Sequence, residues 1–227
     1  MPLTKVKRKP KSLNPKITLL YGAPKVGKST ALSQLDNCLI LDTENGSDML
    51  EGYIENINSR QELLEFYKIA KEGHEYKYFA LDTIDKLVEW IEQSILKEYQ
   101  IESINDLPYG KGFGLVRSKV LNHIKKLSSL VPHLIIIGHR KTAVAIDNST
   151  AIEPESLDIS GKLKNMIMAA CDAIGYIFRD EEEALMVSFK SGLALEAGSR
   201  CAHLRGEIFP FDWDLIYKEE KEKASKK

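Results

Sequence analysis

The chain has 227 residues, 43% of them hydrophobic and 29% charged, with 32 basic side chains set against 33 acidic ones. That length suits one α/β domain with a sizeable core, and the balanced charge excludes a generally cationic surface. No apolar run approaches a membrane span, the longest aliphatic stretch being Leu134-Ile135-Ile136-Ile137, and Cys38, Cys171 and Cys201 are odd in number and widely spaced, as expected of reduced cytoplasmic thiols.

Residues 1–15 read as a basic flexible arm. Residues 1–16 hold Lys5, Lys7, Arg8, Lys9, Lys11 and Lys16 with no acid; setting these six aside leaves 26 basic residues against 33 acids, a net of −7 for the remainder. Nucleic acid, if bound, is met by local patches or by this arm. The arm has no apolar core behind its charges and is not read as a secretory signal. Ile17-Thr18-Leu19-Leu20-Tyr21 predicts a first strand, and Ser29-Thr30-Ala31-Leu32 a helix start.

Cys38-Leu39-Ile40-Leu41 predicts a second, buried strand. Ser59-Arg60-Gln61-Glu62 is a capping box, after which Leu63, Phe66, Tyr67 and Ala70 follow at helical spacing. Tyr78-Phe79-Ala80-Leu81 predicts a third strand, and Leu87, Val88, Ile91, Ile95 and Tyr99 trace one face of the next helix. A stretch rich in Gly and Asn runs from about Ser103 to Gly114. Leu115 to Leu127 then trace a helical face, and His133 to Gly138 a fourth strand. A helix from Ser160, a fifth strand around Asp172 to Ile177, a turn at Glu181-Glu182-Glu183 and a strand from Ala184 to Phe189 follow, with Asp212 to Tyr217 opening a last helix. Such alternation predicts a three-layer α/β domain over residues 16–215, with a mostly parallel central sheet, a small C-terminal β extension and a charged tail at 216–227.

The most informative motif is Gly22-Ala23-Pro24-Lys25-Val26-Gly27-Lys28-Ser29, a complete G-x-x-x-x-G-K-S phosphate loop between a strand and a helix. Its glycines let the backbone bend round an anion with the N–H groups pointing inward. Lys28 is placed to reach the β- and γ-phosphates, Ser29 to bind Mg²⁺, and Thr30 to border the same nucleotide. Asp82 ends the third strand and is the candidate second holder of the magnesium. Glu44, just past the second strand, is the candidate catalytic carboxylate that orients the attacking water. Asp42 comes earlier on that strand and reads as a structural acid.

The phosphate loop, Leu41-Asp42-Thr43-Glu44, Leu81-Asp82-Thr83-Ile84-Asp85, Tyr109-Gly110-Lys111-Gly112-Phe113, Ile137-Gly138-His139-Arg140 and Ser160-Gly161-Lys162-Leu163 together resemble the RecA-type recombinases. The resemblance is closer to the short RecA-like ATPases of phages, which act in single-strand annealing and recombination beside a single-stranded-DNA-binding protein. It spans roughly residues 16–210. It implies a RecA-like core, ATP and Mg²⁺ as ligands, single-stranded DNA as partner, a homo-oligomeric ring or filament, and the cytoplasm of a bacterial or phage-infected cell. It gives His139 the role of a γ-phosphate-sensing side chain that signals to a DNA-binding loop. Regions 100–113 and 140–160 then correspond to DNA loops, with Arg140, Lys141 and Lys162 as candidate DNA contacts. The acids Asp147, Glu153, Glu155 and Asp158 offset those cations. Lys190 and Arg200 are candidates for a basic residue that completes a neighbouring subunit's ATP site.

Two other functions fit a phosphate loop: a kinase of a small metabolite, and an ATP-bound scaffold without turnover. A kinase needs an arginine-bearing lid, and none is evident in the sequence. A partition-type switch carries a lysine directly after the first loop glycine, where this chain has Ala23. ATP is favoured over GTP by analogy, no guanine-reading N-K-x-D being present.

Overall fold

The computed structural model describes residues 3, 6–141 and 154–219. The first strand, β1 (Ile17–Gly22), runs into the phosphate loop and α1 (Lys28–Ser33). Then come β2 (Cys38–Asp42), β3 (Tyr53–Asn56), α2 (Arg60–Glu72), β4 (Tyr78–Asp82) and α3 (Ile84–Tyr99). Two single 3₁₀ turns lead to α4 (Lys111–Leu130) and β5 (His133–Lys141), followed by β6 (Ser156–Leu157), α5 (Gly161–Ala170) and β7 (Ala173–Arg179). The chain closes with β8 (Leu185–Ser188), β9 (Gly198–Ser199), β10 (Ile208–Pro210) and α6 (Trp213–Ile216).

Among the described residues the sheet runs β10-β8-β7-β1-β5-β4-β2-β3. The six strands from β7 to β3 are parallel, while β8 and β10 add an antiparallel edge. The expected mostly parallel sheet with a C-terminal β extension is therefore what the chain forms. Strand residues alternate between two apolar cores, as the two-residue period requires. Leu19, Tyr21, Phe79, Leu81, Leu134 and Ile136 pack with α2, α3, α4 and α5 on one face. Leu20, Ile40, Ala80, Ile135 and Ile137 pack with Leu32 of α1 and with Trp213 and Ile216 of α6 on the other.

Helix α2 begins where the sequence signals it: Ser59 accepts the Glu62 amide at 3.2 Å, and Leu63, Phe66, Tyr67 and Ala70 are its buried stripe. Three elements differ from the sequence expectation. Strand β3 was not foreseen, because Tyr53-Ile54-Glu55-Asn56 is an edge strand with little burial; its pairing to β2 makes it a strand. The Gly- and Asn-rich stretch is shorter than expected, since Pro108 opens a turn and α4 starts at Lys111, anchored by the buried face of Val116, Val120 and Ile124. Strand β5 runs on past Gly138 to Lys141 and pairs antiparallel with β6 through Arg140↔Leu157 and Lys141↔Ser156. The middle of the expected DNA loop, 142–153, lies outside the described residues, as do Lys5 of the arm and residues 220–227 of the tail.

The two ends of the described chain meet. Asn14 donates to the Lys218 carbonyl at 2.7 Å and accepts the Lys218 amide at 2.9 Å. Nearby, Thr18 and Tyr217 share a buried hydroxyl–hydroxyl bond of 2.8 Å, and the Trp213 indole donates to the Ala31 carbonyl at 2.6 Å. Residues 210–217 thus seal the second face of the sheet.

Candidate nucleotide site

Parallel register brings the polar strand ends to one edge. Gly22 of β1 lies opposite His139 of β5, Ile137 of β5 opposite Asp82 of β4, and Asp82 opposite Asp42 of β2. The phosphate loop starts at Gly22 because β1 closes on β7 there: a Cβ at this position would sit 2.4 Å from the Ile177 carbonyl oxygen. The loop turns into α1 at Gly27, whose φ of +116° favours glycine. Pro24, Lys25 and Thr30 are exposed along the loop, and Val26 is buried beneath it.

Lys28 is buried and folds back over the loop, donating to the Gly22 carbonyl at 3.1 Å and the Ala23 carbonyl at 2.8 Å. Burial lowers its pKa, while Asp82, Asp85 and Glu44 oppose that shift. The Ser29 hydroxyl donates to the Asp82 carboxylate at 2.6 Å. Burial pushes the Asp82 carboxyl above the usual carboxylate range; the Ser29 bond pulls it back, while the neighbouring Asp42 and Glu44 push it further up. Ser29 and Asp82 offer hard oxygen donors side by side, a set that fits magnesium. Among the described residues no group of three or more His, Cys, Asp or Glu side chains is arranged to hold a metal. An ion placed here would be held by Ser29, Asp82 and phosphate oxygens.

Glu44 is exposed above the end of β2, and two threonines place it. Thr43 donates its amide and its hydroxyl to the Asp82 carbonyl at 2.8 and 2.9 Å, and accepts the Thr83 amide at 2.8 Å. Thr83 in turn donates its hydroxyl to Glu44 at 2.9 Å. Asp42 points into the following turn, accepting the amides of Glu44 at 2.9 Å and Ser47 at 3.0 Å together with the Ser47 hydroxyl. It shapes that turn. Thr43 and Thr83 had no role in the sequence reading, although a signal was present: Leu-Asp-Thr occurs at both 41–43 and 81–83, and the Leu and Asp of the two copies are register partners.

His139 sits half-buried between the phosphate loop and Asp82. Its amide donates to Asp85 at 3.3 Å, and its Nδ1 lies 3.4 Å from the same carboxylate oxygen. Asp85, in the first turn of α3, is a further residue that sequence reasoning missed. Burial raises its pKa, and His139 opposes the rise.

The outlying candidates are spread wider. Arg140 is engaged within the chain, donating to Glu155 at 2.9 Å and to the Tyr176 hydroxyl at 2.8 Å. Lys141 and Lys162 are exposed. Arg200 bonds Asp172 at 3.2 Å and the Ala169 carbonyl at 2.6 Å, at the start of β7. Lys190 is exposed just past the end of β8, which runs antiparallel to β7. Both lie at the edge of the sheet away from the chain's own phosphate loop, so either could serve an ATP site only in another subunit.

A parallel sheet with the phosphate loop on β1, a serine–aspartate pair across β5 and helices on both faces defines a P-loop nucleoside-triphosphatase core. The sequence model of the AAA domain family matches residues 14–203, and the chain belongs to that family. Membership supports ATP binding and, in general, ATPase chemistry. No curated protein matches the chain. No helix among the described residues is long and apolar enough to cross a membrane.

Proposed function

We propose that this protein is a magnesium-dependent, RecA-like ATPase that acts on single-stranded DNA in annealing or recombination, as a homo-oligomer and alongside a single-stranded-DNA-binding protein. The observation that carries the reading is the strand order β7-β1-β5-β4-β2, which inserts His139 between the phosphate loop and Asp82. Lys28 leaves the loop carbonyls for the β- and γ-phosphates. Ser29 and Asp82 would hold the magnesium, which would supply positive charge against the phosphate oxygens. Glu44 orients the attacking water, and the Thr83 hydroxyl fixes its carboxylate.

The DNA part of the reading draws on the surface beyond His139. Its partner Asp85 also lines a cavity of about 480 Å³ together with Phe113, Arg117 and Lys162. Phe113 is 45% exposed, and Tyr109, one turn before α4, is fully exposed. Aromatic faces next to cations suit unpaired bases and their phosphates. A strand seated there meets the residue that holds His139, so DNA occupancy and the state of the γ-phosphate are linked through Asp85.

The test is ATP turnover with magnesium, with and without single-stranded DNA, using Lys28→Ala as the blank. DNA stimulation of at least tenfold is expected, with no turnover in the blank. Turnover indifferent to DNA would remove the DNA reading and favour a metabolite kinase or an ATP-bound scaffold, and full turnover in Lys28→Ala would remove the site itself. Deleting residues 1–11 is expected to weaken DNA binding and flatten its salt dependence.

A further inference from the structure

The phosphate loop has a second wall. A Cβ at Gly27 would lie 3.4 Å from Nη2 of Arg179 and 3.6 and 3.7 Å from the two terminal methyls of Leu185. Arg179 ends β7, Leu185 begins β8, and the two are cross-strand partners. The turn between them is built rather than loose: Asp180 accepts the amides of Glu182 at 3.0 Å and Ala184 at 2.9 Å through one carboxylate oxygen.

Direction decides what this wall faces. The residues proposed to meet the terminal phosphate are His139 in β5, Asp82 at the end of β4 and Glu44 just past β2, all on one side of β1. Strands β7 and β8 lie on the other side. A triphosphate cradled by the loop with its γ end toward those residues sends its nucleoside the opposite way, across Gly27. Arg179 is available there. Its Nη1 donates to the Glu183 carbonyl, and its Nε lies 4.0 Å from the Glu183 carboxylate, which is itself 84% exposed. Nη2, the atom nearest Gly27, is turned to the loop.

We propose that Arg179 is the residue that positions the nucleoside of bound ATP, its guanidinium plane stacking on the base while Leu185 supplies an apolar flank. The proposal rests on the ATP-site reading of the phosphate loop. A planar cation over an aromatic ring suits a purine and gives the site affinity for the nucleoside that the loop, which reads phosphates alone, lacks.

The experiment compares ATP with inorganic tripolyphosphate, both with magnesium, binding to wild type, Arg179→Ala, Arg179→Lys and Lys28→Ala by calorimetry. Arg179→Ala is expected to weaken ATP about tenfold, in the range of a desolvated cation–π contact, and to leave tripolyphosphate within about twofold. Arg179→Lys is expected to behave nearly as Arg179→Ala, because an ammonium keeps the charge without the plane. Parallel loss of both ligands in Arg179→Ala would place the cation on the phosphates and overturn the proposal. Unchanged affinities with a lower melting temperature would reduce Arg179 to a hairpin clip and overturn it too. Wild type binding neither ligand, like Lys28→Ala, would overturn the ATP-site reading itself, an outcome distinct from either of these.

Discussion

The Thr83 hydroxyl donates to the Glu44 carboxylate at 2.9 Å, so the side chain proposed to orient the attacking water is steered by the residue directly after Asp82. With Thr43 bridging to Asp82 and Thr83 in the other direction, the ends of β2 and β4 form one hydrogen-bonded unit. A displacement of either strand end moves both carboxylates.

That coupling separates two substitutions. Glu44→Gln is expected to keep ATP binding and cut hydrolysis about a hundredfold or more, the scale of a lost general base. Thr83→Val keeps the buried volume and removes the steering bond; hydrolysis should fall about tenfold with binding within twofold. Stopped-flow nucleotide binding beside steady-state turnover checks both. Normal hydrolysis in Glu44→Gln would assign the water to another group.

The buried Asp82 makes stability depend on pH in a definite direction. Its folded pKa is raised above the ordinary 3.8, chiefly by burial. Its charged form is therefore disfavoured in the fold, and the stability of the nucleotide-free protein is lost as pH rises through that raised value. Asp82→Asn keeps an acceptor for Ser29 and removes the buried charge. It should melt higher than wild type at pH 8, with the gap closing towards pH 4. Melting curves without nucleotide across that range test this, and an equal gap at both ends would contradict it.

His123 gives a second pH signature, far from the site. It accepts the Tyr67 hydroxyl at 2.8 Å on Nδ1 in the neutral form. Burial first, then Arg60, Lys126 and Lys119, lower its pKa from 6.5 to about 4. The unfolded chain binds the proton and the folded one does not, so stability is complete above pH 6.5 and falls as pH drops towards 4. The loss amounts to about 3 kcal/mol. The double substitution Tyr67→Phe/His123→Leu removes both polar partners together and should flatten this limb of the denaturation curve.

Asn14 closes the fold by a pair of bonds to the Lys218 backbone. Asn14→Ala leaves those groups without their partner, which costs about 1–3 kcal/mol, or about 3–10 °C of melting temperature at this chain length. The same loss is expected on truncating the chain before Lys218. A change below 1 °C would mean that the clamp does not hold the two ends together.

By itself the sequence determined the elements whose signals are local. The phosphate loop is a contiguous motif, the buried strands are apolar runs, and helix α2 carries both its cap and its stripe within about a dozen residues. Asp82 and Glu44 were legible as candidates because each stands just past such a run. Only the tertiary structure decided what depends on strand order and register. The edge strand β3 has no apolar period and exists through its partner. The pairing of the two Leu-Asp-Thr segments, which ties Thr83 to Glu44, joins residues 39 positions apart. Asp85 meets His139 across 54 positions, and Arg179 reaches Gly27 because β7 lies beside β1. Hydrogen bonds and close packing are satisfied by whichever atoms the folded sheet brings within about 3–4 Å, and linear spacing carries no record of that choice.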